Sequence, residues 1–546
     1  AASAGFVTGP ATDMRFSFTY RHALVAVIGL SLFLNIYGIW WGLPNEPGAW
    51  APDEINPLDV LDGIERRFSN GWWQVYPPAH YYLLTLVEYP AVLLDRMGLI
   101  DIRSEISYAV LYVLLRFVSV LMGTGTVLLA YACGRELFDR RSAVFAALIT
   151  STICPLVYYS KTANVDVPVL FWTQLSMFFF IRVLKDHRLG DYLGFSAAAA
   201  LAIGTKDQAA SYYVLTPVVI GWSAFVWHRR ADSRASIWAA LINLRTLGAL
   251  GFGAVALALI YNVSFNWSGF VQHVDFVTSP ANVFGPEQRF LHSLMGQLGN
   301  FAQGLRHLQF SMGWPLLMIC TVGVVWALIQ KPRNTRLLAL LVPLASFWVF
   351  LLSVLLYHYD RWSMTEAVTL SLFGAPLLTH FTERGSRWRV ARIGGVVAVF
   401  VFTFAYAFSV NAMMAADSRY AVERWMQEHI SEDDLVLTVG FPMYLPRMHE
   451  YSSTGTMGPS VAHLQEVEPE YVITSSSYDE RRWEEGHASW EFFALLKTGS
   501  LPYVTALSHQ SRPKWNFLSF RGVLSNLEKI DPEINIYRRM PASAQP

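Results

Sequence analysis

Long apolar stretches follow one another along most of the chain, each close to the roughly 20 residues that a helix needs to cross a bilayer. They lie at 23–43, 108–132, 142–160, 167–184, 191–204, 209–227, 246–264, 313–330, 337–357, 362–381 and 393–412. The pattern predicts an α-helical polytopic membrane protein with about 11 transmembrane helices. A further apolar stretch, Tyr81–Leu94, is brief and contains Glu88 and Pro90, so we interpret it as a helix on the membrane surface.

Basic residues are concentrated in alternate connections between the apolar stretches. Arg15 and Arg21 precede the first stretch. The other basic connections are 135–141, 182–188, 228–245, 331–336 and 384–392. Because cytoplasmic connections of membrane proteins carry an excess of Lys and Arg, this alternation predicts a cytoplasmic N-terminus. It puts the long loop 44–107 on the outer face, and an odd number of spans puts the residues after 412 there too.

The composition changes at Asp417, after which polar and apolar residues are mixed. Helical spacing at Ser418–His429 and Ser489–Lys497 alternates with β-type patterns, which predicts a small extracytoplasmic α/β domain. The β-type patterns lie at 435–439, 471–474, 503–507 and 534–537. We therefore expect a tail or expression remnant at 1–14, a transmembrane domain at 15–414 and the α/β domain at 415–546.

Composition supports a membrane protein and gives no indication of a nucleic-acid partner. Hydrophobic residues make up 53% of the chain and charged residues 15%, whereas soluble domains have about 25% charged residues. The formal net charge is zero, so bulk charge predicts no nucleic-acid binding. The three cysteines, Cys133, Cys154 and Cys320, lie in apolar stretches without the spacing of metal ligands or redox pairs.

The predicted outer connections contain few ionisable residues, and several of these lie in short polar motifs. The long loop has Pro52-Asp53-Glu54 near its start and Tyr76-Pro77-Pro78 further on. The others are Lys161 and Asp166 in SKTANVDVP, Lys206 and Asp207 in GTKDQ, and His358, Asp360 and Arg361 in YHYDRW. The predicted topology puts all of them at one membrane face. Ionisable residues in membrane proteins are costly and usually functional.

These residue types suit the attack of a hydroxyl group on a sugar that is attached to a lipid phosphate. A carboxylate such as Asp53 can accept the proton of that hydroxyl, and general-base help typically contributes about 10²–10⁴-fold. The departing phosphate needs cations, which Lys206, His358 and Arg361 can supply. The fork of an Arg is well suited to bidentate contacts with phosphate. The sequence therefore predicts Asp53 as a general base.

The same residues also have structural interpretations. Asp53 and Glu54 follow a proline, and acidic residues there suit the first turn of a helix, near the positive end of its dipole. Lys206 and Arg361 are also typical of side chains that reach from a helix end to the membrane interface. His358 suits an ordinary interfacial position.

The order of several motifs resembles one family of membrane enzymes. A-P-D-E at 51–54 and Y-P-P-A-H-Y-Y-L-L at 76–84 are followed by GRELFDRRSAVFAALI, NVDVP, TKDQAASYYVLTP, YHYDRW, DSRYAVERWMQEHI and DPEINIYRR. In this order they resemble the bacterial dolichyl-phosphate-mannose:protein mannosyltransferase-like branch of the GT-C glycosyltransferases, which includes the lipid A aminoarabinose transferases. Relatives often have Lys-Tyr where this chain has Lys206-Asp207, so it is open whether Lys206 faces phosphate or pairs with Asp207.

The resemblance implies a GT-C fold with an outward cavity. It implies inverting transfer of a monosaccharide from a polyprenyl-phosphate donor to a hydroxyl of a lipid, glycan or protein acceptor. It assigns the acidic role to Asp53, with Glu54 beside it, and the donor phosphate to Lys206, His358 and Arg361. Supporting roles are expected for Asp166, Tyr76, His80 and Tyr81, although Asp166 also suits a helix cap and the tyrosines an aromatic belt.

The expected setting is the bacterial inner membrane, with the active site and the C-terminal domain periplasmic and with membrane lipids as neighbours. No cofactor is required, and a divalent metal ion near Asp53 and Asp166 is left open by the resemblance. The alternative is a transporter or flippase of a lipid-linked sugar. Such proteins usually have repeated halves and charges near the middle of the membrane, whereas the charges here gather at one face.

Overall fold

The protein is mostly α-helical, with a β-sheet near its C-terminus. The computed structural model describes residues 11–45, 48–65, 75–234, 236–283, 288–383, 388–541 and 543. The helices before residue 416 are α1 (Ala11–Ile36), α2 (Pro57–Glu65), α3 (Ala79–Arg96), α4 (Glu105–Leu137), α5 (Arg140–Ser151), α6 (Cys154–Tyr159), α7 (Asp166–Asp186), α8 (Leu189–Thr205), α9 (Thr216–Ala231), α10 (Ile237–Leu241), α11 (Leu244–Ile260), α12 (Trp267–Thr278), α13 (Pro280–Val283), α14 (Leu294–Ile329), α15 (Thr335–Ala339), α16 (Leu341–Phe347), α17 (Ser353–Leu355), α18 (Ser363–Phe381) and α19 (Arg389–Ala415).

The apolar stretches that predicted membrane spans coincide with helical segments of the structure. Within the described ranges, six segments are long and apolar enough to cross a membrane by length and composition. They are Glu105–Leu137, Asp166–Asp186, Asp207–Arg230, Leu294–Ile329, Thr335–Leu355 and Arg389–His429. Two further apolar helices, Tyr20–Ile36 and Leu244–Ile260, are shorter. The α-helical polytopic class is confirmed, whereas the number of about 11 crossings is not.

One predicted boundary differs from the structure for a physical reason. Helix α14 includes 294–312, whereas the sequence predicts a connection there, between the apolar stretches 246–264 and 313–330. Its buried polar residues Asn300, Gln303 and His307 recur at helical spacing on one face and lower the local hydropathy. A kink at Gly313, with φ of +68°, separates this half from the apolar half that was predicted; glycine adopts such a conformation without steric cost.

The segment after α19 forms an α/β unit with both predicted helices and all four predicted strands. Its elements are α20 (Ser418–His429), β1 (Val436–Val439), β2 (Ser453–Thr456), α21 (Val461–Val467), β3 (Tyr471–Ser475), α22 (Ala488–Thr498), β4 (Tyr503–His509) and β5 (Ile534–Arg539). The strand order is β2-β1-β3-β5-β4, with β1 parallel to β2 and β3, and β5 antiparallel to β3 and β4. Strand β2 was not predicted because its sequence, STGT, is a short polar edge strand.

A buried ion pair at the start of this C-terminal unit contacts the residues that follow α1. Both nitrogens of the Arg419 fork bond the Asp417 carboxylate, at 2.8 and 2.6 Å. The indole of Trp41 donates to the same carboxylate at 2.9 Å, and the Arg419 guanidinium lies 4.1 Å from the centroid of the Trp50 ring. Because Trp41 and Trp50 flank the start of the loop that carries Asp53, the unit is held against the residues that precede Asp53.

The predicted orientation can be tested with cysteine labelling. A cysteine that replaces Asp275 or Glu485 is expected to react with a membrane-impermeant thiol reagent added from outside, whereas one that replaces Ser233 or Arg333 is not. All four residues are exposed, and the native cysteines are buried, so background labelling should be low. Labelling of the second pair from outside in intact cells would reverse the orientation.

Candidate active site

The APDE motif forms a turn that carries Asp53 in a left-handed conformation. Asp53 has φ of +61°, a region that few residues other than Gly, Asn and Asp adopt. The turn is tied down by the backbone N–H of Ile55, which donates to Ala163 O at 2.6 Å. The alternative that Asp53 and Glu54 open a helix is wrong, since α2 begins at Pro57 and its first turn is capped by Asn56.

Glu54 turns away from Asp53 into a buried ion pair with Arg116. The side chains of Arg116 and Glu54 are 0% and 3% exposed, and two bonds of 2.6 and 2.9 Å join them. Glu54 also accepts from the N–H of Ala163, and Arg116 donates to the carbonyls of Ile39 and Trp41. These contacts fix the turn to α4 and to the residues that follow α1. They give Glu54 a structural role in holding the turn, and both of its oxygens are engaged.

Asp53 lies in a row of alternating charges with Arg361, Asp166 and Lys206. Nη1 of Arg361 lies 2.6 Å from Oδ2 of Asp53 and 3.7 Å from Oδ2 of Asp166. Nζ of Lys206 donates to Oδ1 of Asp166 at 2.6 Å. These side chains come from the APDE, NVDVP and YHYDRW motifs and from Lys206 at the end of α8. Residues that lie far apart in the sequence therefore meet at one place.

Lys206 does not pair with the adjacent Asp207. The Asp207 carboxylate instead accepts a 2.6 Å hydrogen bond from the hydroxyl of Tyr261 and lies 3.1 Å from Nε2 of His273. Lys206 contacts Asp166 and lies 5.7 Å from the centroid of the Tyr76 ring, within the range of a cation–π contact. Of the two possibilities for Lys206, pairing with Asp207 or facing the cavity, the structure shows the second.

A cavity of about 1650 Å³ opens between the helices and the C-terminal unit. Its wall includes Asp53, Tyr76, Lys206 and Arg361 from the first part of the chain. The C-terminal unit contributes Tyr444, Ser475 and the segment Gly522–Asn526, among others. The Asp53 side chain is 45% exposed, so its carboxylate is accessible from the cavity.

The Asp53 carboxyl is held in its ionised form. Burial raises the pKa of Asp53, but the Arg361 guanidinium and the Asn526 amide lower it, and the net pKa lies below the usual value. One carboxylate oxygen, Oδ2, accepts both of these bonds. Oδ1 has no hydrogen-bond partner among the described residues, which leaves it available to a ligand.

His358 does not reach this cavity. It is fully buried, and its Nδ1 lies 2.7 Å from Nδ1 of His307. Nε2 of His307 accepts from the backbone N–H of Leu524 at 2.9 Å, so the proton of neutral His307 is on Nδ1 and is donated to His358. Burial lowers the pKa of His358 to about 3. The prediction that His358 contributes positive charge to a donor phosphate therefore does not fit its position or its protonation.

The remaining predicted residues lie at different depths. Tyr76 lies on the cavity wall. His80 is buried in α3, with neither ring nitrogen hydrogen-bonded to a described residue. Tyr81 is half-buried and packs against the main hydrophobic core. His80 and Tyr81 therefore lie in α3 outside the residues that line the cavity.

A guanidinium lies between the two carboxylates that were considered for a metal ion. Asp53 and Asp166 both approach Nη1 of Arg361. Among the described residues, no group of three or more His, Cys, Asp or Glu side chains is arranged to hold a metal. The positive charge at this point of the structure comes from Arg361.

Sequence reasoning missed two residues of the C-terminal unit. Asn526 donates to Oδ2 of Asp53 at 3.2 Å, and Ser525 donates to Oδ2 of Asp360 at 2.6 Å. Both lie in a polar connection before β5 that has no motif of its own. Contacts between residues 473 and 165 positions apart have no local sequence signal. The one indication was the prediction that the C-terminal unit and the Asp53 loop lie on the same side of the membrane.

Part of the chain matches a known family. Residues 105–261 match the sequence model described as dolichyl-phosphate-mannose-protein mannosyltransferase. Over 251 residues the chain is 25% identical to the undecaprenyl phosphate-alpha-4-amino-4-deoxy-L-arabinose arabinosyl transferase of Pseudomonas aeruginosa strain UCBPP-PA14, covering 44% of this chain and 39% of that protein. The resemblance predicted from the motifs is confirmed. A second transferase with this description, from Pseudomonas fluorescens strain ATCC BAA-477, is 23% identical over 340 residues, which cover 58% of this chain and 54% of that protein.

The chain spans about half or less of the length of these curated relatives.

Among solved structures, ArnT from Cupriavidus metallidurans bound to undecaprenyl phosphate is 12% identical with a TM-score of 0.45, covering 96% of this chain and 98% of that chain. The oligosaccharyltransferase AglB from Archaeoglobus fulgidus, in complex with an inhibitory peptide and a dolichol-phosphate, is 13% identical with a TM-score of 0.47, covering 84% and 69%. Both scores lie below 0.5, so the description of the fold rests on the helices and strands given above.

Proposed function

We propose that the protein is a membrane glycosyltransferase. It moves a monosaccharide from a polyprenyl-phosphate donor to a hydroxyl of a lipid, glycan or protein acceptor, with inversion at the sugar. The observation that carries this proposal is the convergence of Asp53, Arg361 and Lys206 on the wall of one cavity. A carboxylate and two cations within one cavity match the two needs of the reaction, a base for the acceptor and positive charge for the leaving phosphate.

In this reaction Asp53 acts on the acceptor. Its free oxygen, Oδ1, accepts the proton of the attacking hydroxyl as that oxygen forms a bond to the anomeric carbon. The bond from the anomeric carbon to the phosphate oxygen breaks on the opposite side, which inverts the configuration. Polyprenyl phosphate leaves with the bonding electron pair, and Asp53 then releases its proton to water. The lowered pKa of Asp53 supports this role, because the carboxylate is already ionised at neutral pH.

Arg361 and Lys206 act on the departing phosphate. The buried Nε–H of Arg361 has no hydrogen-bond partner among the described residues, and an unsatisfied buried donor costs about 1–3 kcal/mol. A phosphate oxygen of the donor would satisfy it. Lys206 lies on the same wall and adds a second positive charge, while Asp166 keeps both cations oriented.

Replacement of Arg361 by Ala is expected to weaken donor binding by about 1.5–3 kcal/mol, the range for a lost charge-assisted bond. The reason is that Ala supplies neither the charge nor the free Nε–H. The measurement is the donor Kd of the purified protein in detergent. Arg424→Ala is the control, because Arg424 is exposed on α20 and is not among the residues that line the cavity. An unchanged donor Kd in Arg361→Ala would remove Arg361 from the phosphate site.

The donor and acceptor are identified by a transfer assay. Purified protein is incubated with a panel of polyprenyl-phosphate sugars and a total membrane lipid extract, and labelled products are separated. Transfer of one sugar to an extractable acceptor is expected, with loss of activity in Asp53→Asn. No transfer from any donor to lipid, glycan or protein acceptors would reject the proposed function and favour the transporter alternative.

We further propose the inner membrane as the location, with the cavity on its periplasmic side, because the basic connections are predicted on the opposite face.

A further inference from the structure

A segment of the C-terminal unit, residues 522–530, is bound tightly into the helices around the cavity. The carbonyl of Leu524 accepts from the N–H of Asp360 at 3.0 Å. The N–H of Leu524 donates to Nε2 of His307 at 2.9 Å, and Gln303 donates to the carbonyl of Gly522 at 2.8 Å. Backbone groups of the segment are therefore held from α14 and from the YHYDRW connection.

The apolar side chains of this segment strengthen the attachment. Val523, Leu527 and Ile530 are at most 7% exposed and belong to the main hydrophobic core, which also contains Trp41 and Trp50. Burial of side chains of this size typically contributes about 1.5–3 kcal/mol each. The segment is thus fixed relative to the Asp53 turn, although it belongs to a different part of the chain.

Ser525 sets the orientation of the residue that follows it. Its hydroxyl donates to Oδ2 of Asp360 at 2.6 Å and accepts from the N–H of Leu527 at 3.0 Å. The second contact caps the 3₁₀ turn Asn526–Lys529. Asn526, the first residue of that turn, therefore projects toward the cavity from a rigid base.

The Asn526 amide contacts the same oxygen of Asp53 that Arg361 contacts. Nδ2 of Asn526 lies 3.2 Å from Oδ2, and Nη1 of Arg361 lies 2.6 Å from it. An ionised carboxylate only accepts hydrogen bonds, so the NH₂ end of the amide must face it. Two donors from different parts of the chain thus engage Oδ2, and Oδ1 is left to the cavity.

We propose that Asn526 is a positioning residue for the transfer reaction, which together with Arg361 holds Oδ2 of Asp53 so that Oδ1 faces the acceptor hydroxyl. This inference rests on the proposed function, in which Asp53 accepts the acceptor's proton. It assigns the C-terminal unit a direct part in the chemistry, through one amide group. General-base catalysis needs such positioning, since a displacement of about 1 Å at a reacting group can cost about 100-fold in rate.

The charged and titratable groups that face Asp53 allow a test through pH dependence. The cations are Arg361 and Lys206, and the neighbouring hydroxyls are those of Tyr76, Tyr158 and Tyr444. Because the base acts when ionised, kcat falls as the pH drops through the pKa of Asp53. The Asn526 amide favours the ionised form, so its removal raises that pKa and moves the acidic limb of the pH profile to higher pH. A carboxylate at position 526 moves it further, because like charges oppose ionisation.

The experiment compares Asn526→Ala and Asn526→Asp with the wild-type protein in detergent. We expect kcat to fall about 10–100-fold in Asn526→Ala, the equivalent of one lost bond to a charged group. The KM for the donor should stay within about threefold, because the donor phosphate does not contact this amide. In Asn526→Asp the acidic limb should move up by about one pH unit or more. Asn526→Asp is nearly isosteric, so it keeps the test open if Asn526→Ala folds poorly.

Gln427→Ala is the matched control, since it removes an amide from an exposed position on α20, and its kcat and pH profile should equal those of the wild type. The positioning role would be overturned, and the proposed function left intact, by one set of results. In it, both Asn526 variants keep the wild-type kcat and acidic limb, while Asp53→Asn is inactive. Activity in Asp53→Asn would overturn both. A reduced kcat without a shift of the acidic limb in either variant would also overturn the proposal, because a purely structural role predicts that result.

Discussion

The Asp53→Asn protein is expected to fold normally, bind its donor and lose at least about 100-fold in turnover. Asn has nearly the size of Asp and also tolerates the left-handed conformation of residue 53. Its amide can still contact Arg361, but it cannot accept the proton of the acceptor hydroxyl. The measurement is kcat in the transfer assay together with the donor Kd, which should change little because the cations and not the carboxylate meet the donor phosphate.

Asp433→Asn is the control for this substitution, since Asp433 is exposed in the C-terminal unit and should retain wild-type turnover. Near-normal transfer by a stably folded Asp53→Asn protein would end the assignment of Asp53 as the base. A large loss of donor affinity would instead indicate that Asp53 acts mainly by orienting Arg361.

The second large effect is expected on stability, from Arg116→Met. Removal of the guanidinium leaves the buried Glu54 carboxylate without its partner, and breaking a buried ion pair in this way costs about 3–5 kcal/mol. The buried carbonyls of Ile39 and Trp41 lose their donor as well. A lower thermal midpoint in detergent is expected, with a smaller decrease in the double variant Glu54→Gln/Arg116→Met, which carries no unpaired charge.

Arg96→Met is the control, because Arg96 is exposed at the end of α3 and its replacement should leave the midpoint unchanged. The outcome also decides the role of Glu54. If Glu54→Gln abolishes turnover while the thermal midpoint stays at the wild-type value, Glu54 takes part in the reaction and the structural role given to it here is wrong.

Much of the fold follows from hydropathy, because spans and strands have strong local patterns. The helices at Ser418–His429 and Ser489–Lys497 were predicted nearly to their ends. The half of α14 before Gly313 was missed because its buried polar side chains mimic a connection. Strand β2 was missed because an edge strand of four polar or small residues has no apolar alternation to detect.

For the candidate site, the sequence could predict only which residues share a membrane face. The distribution of Lys and Arg predicts that Asp53, Asp166, Lys206 and Arg361 lie at one membrane face. The structure joins these four side chains in one row of contacts. The sequence pattern does not indicate which acidic residue of the Asp53-Glu54 pair faces the cavity, because that depends on where Arg116 is buried. It also gives no sign that His358 is neutral, since the contact that fixes its proton involves a backbone N–H of Leu524.

In the proposed reaction, the bond between a sugar and a polyprenyl phosphate breaks in this cavity. The most direct test reconstitutes the protein in vesicles with a donor labelled separately on the sugar and on the lipid, together with its acceptor. We expect free polyprenyl phosphate and glycosylated acceptor to appear in equal amounts, and neither product to appear with Asp53→Asn. Movement of the intact donor across the vesicle membrane, with no free polyprenyl phosphate formed, would contradict it.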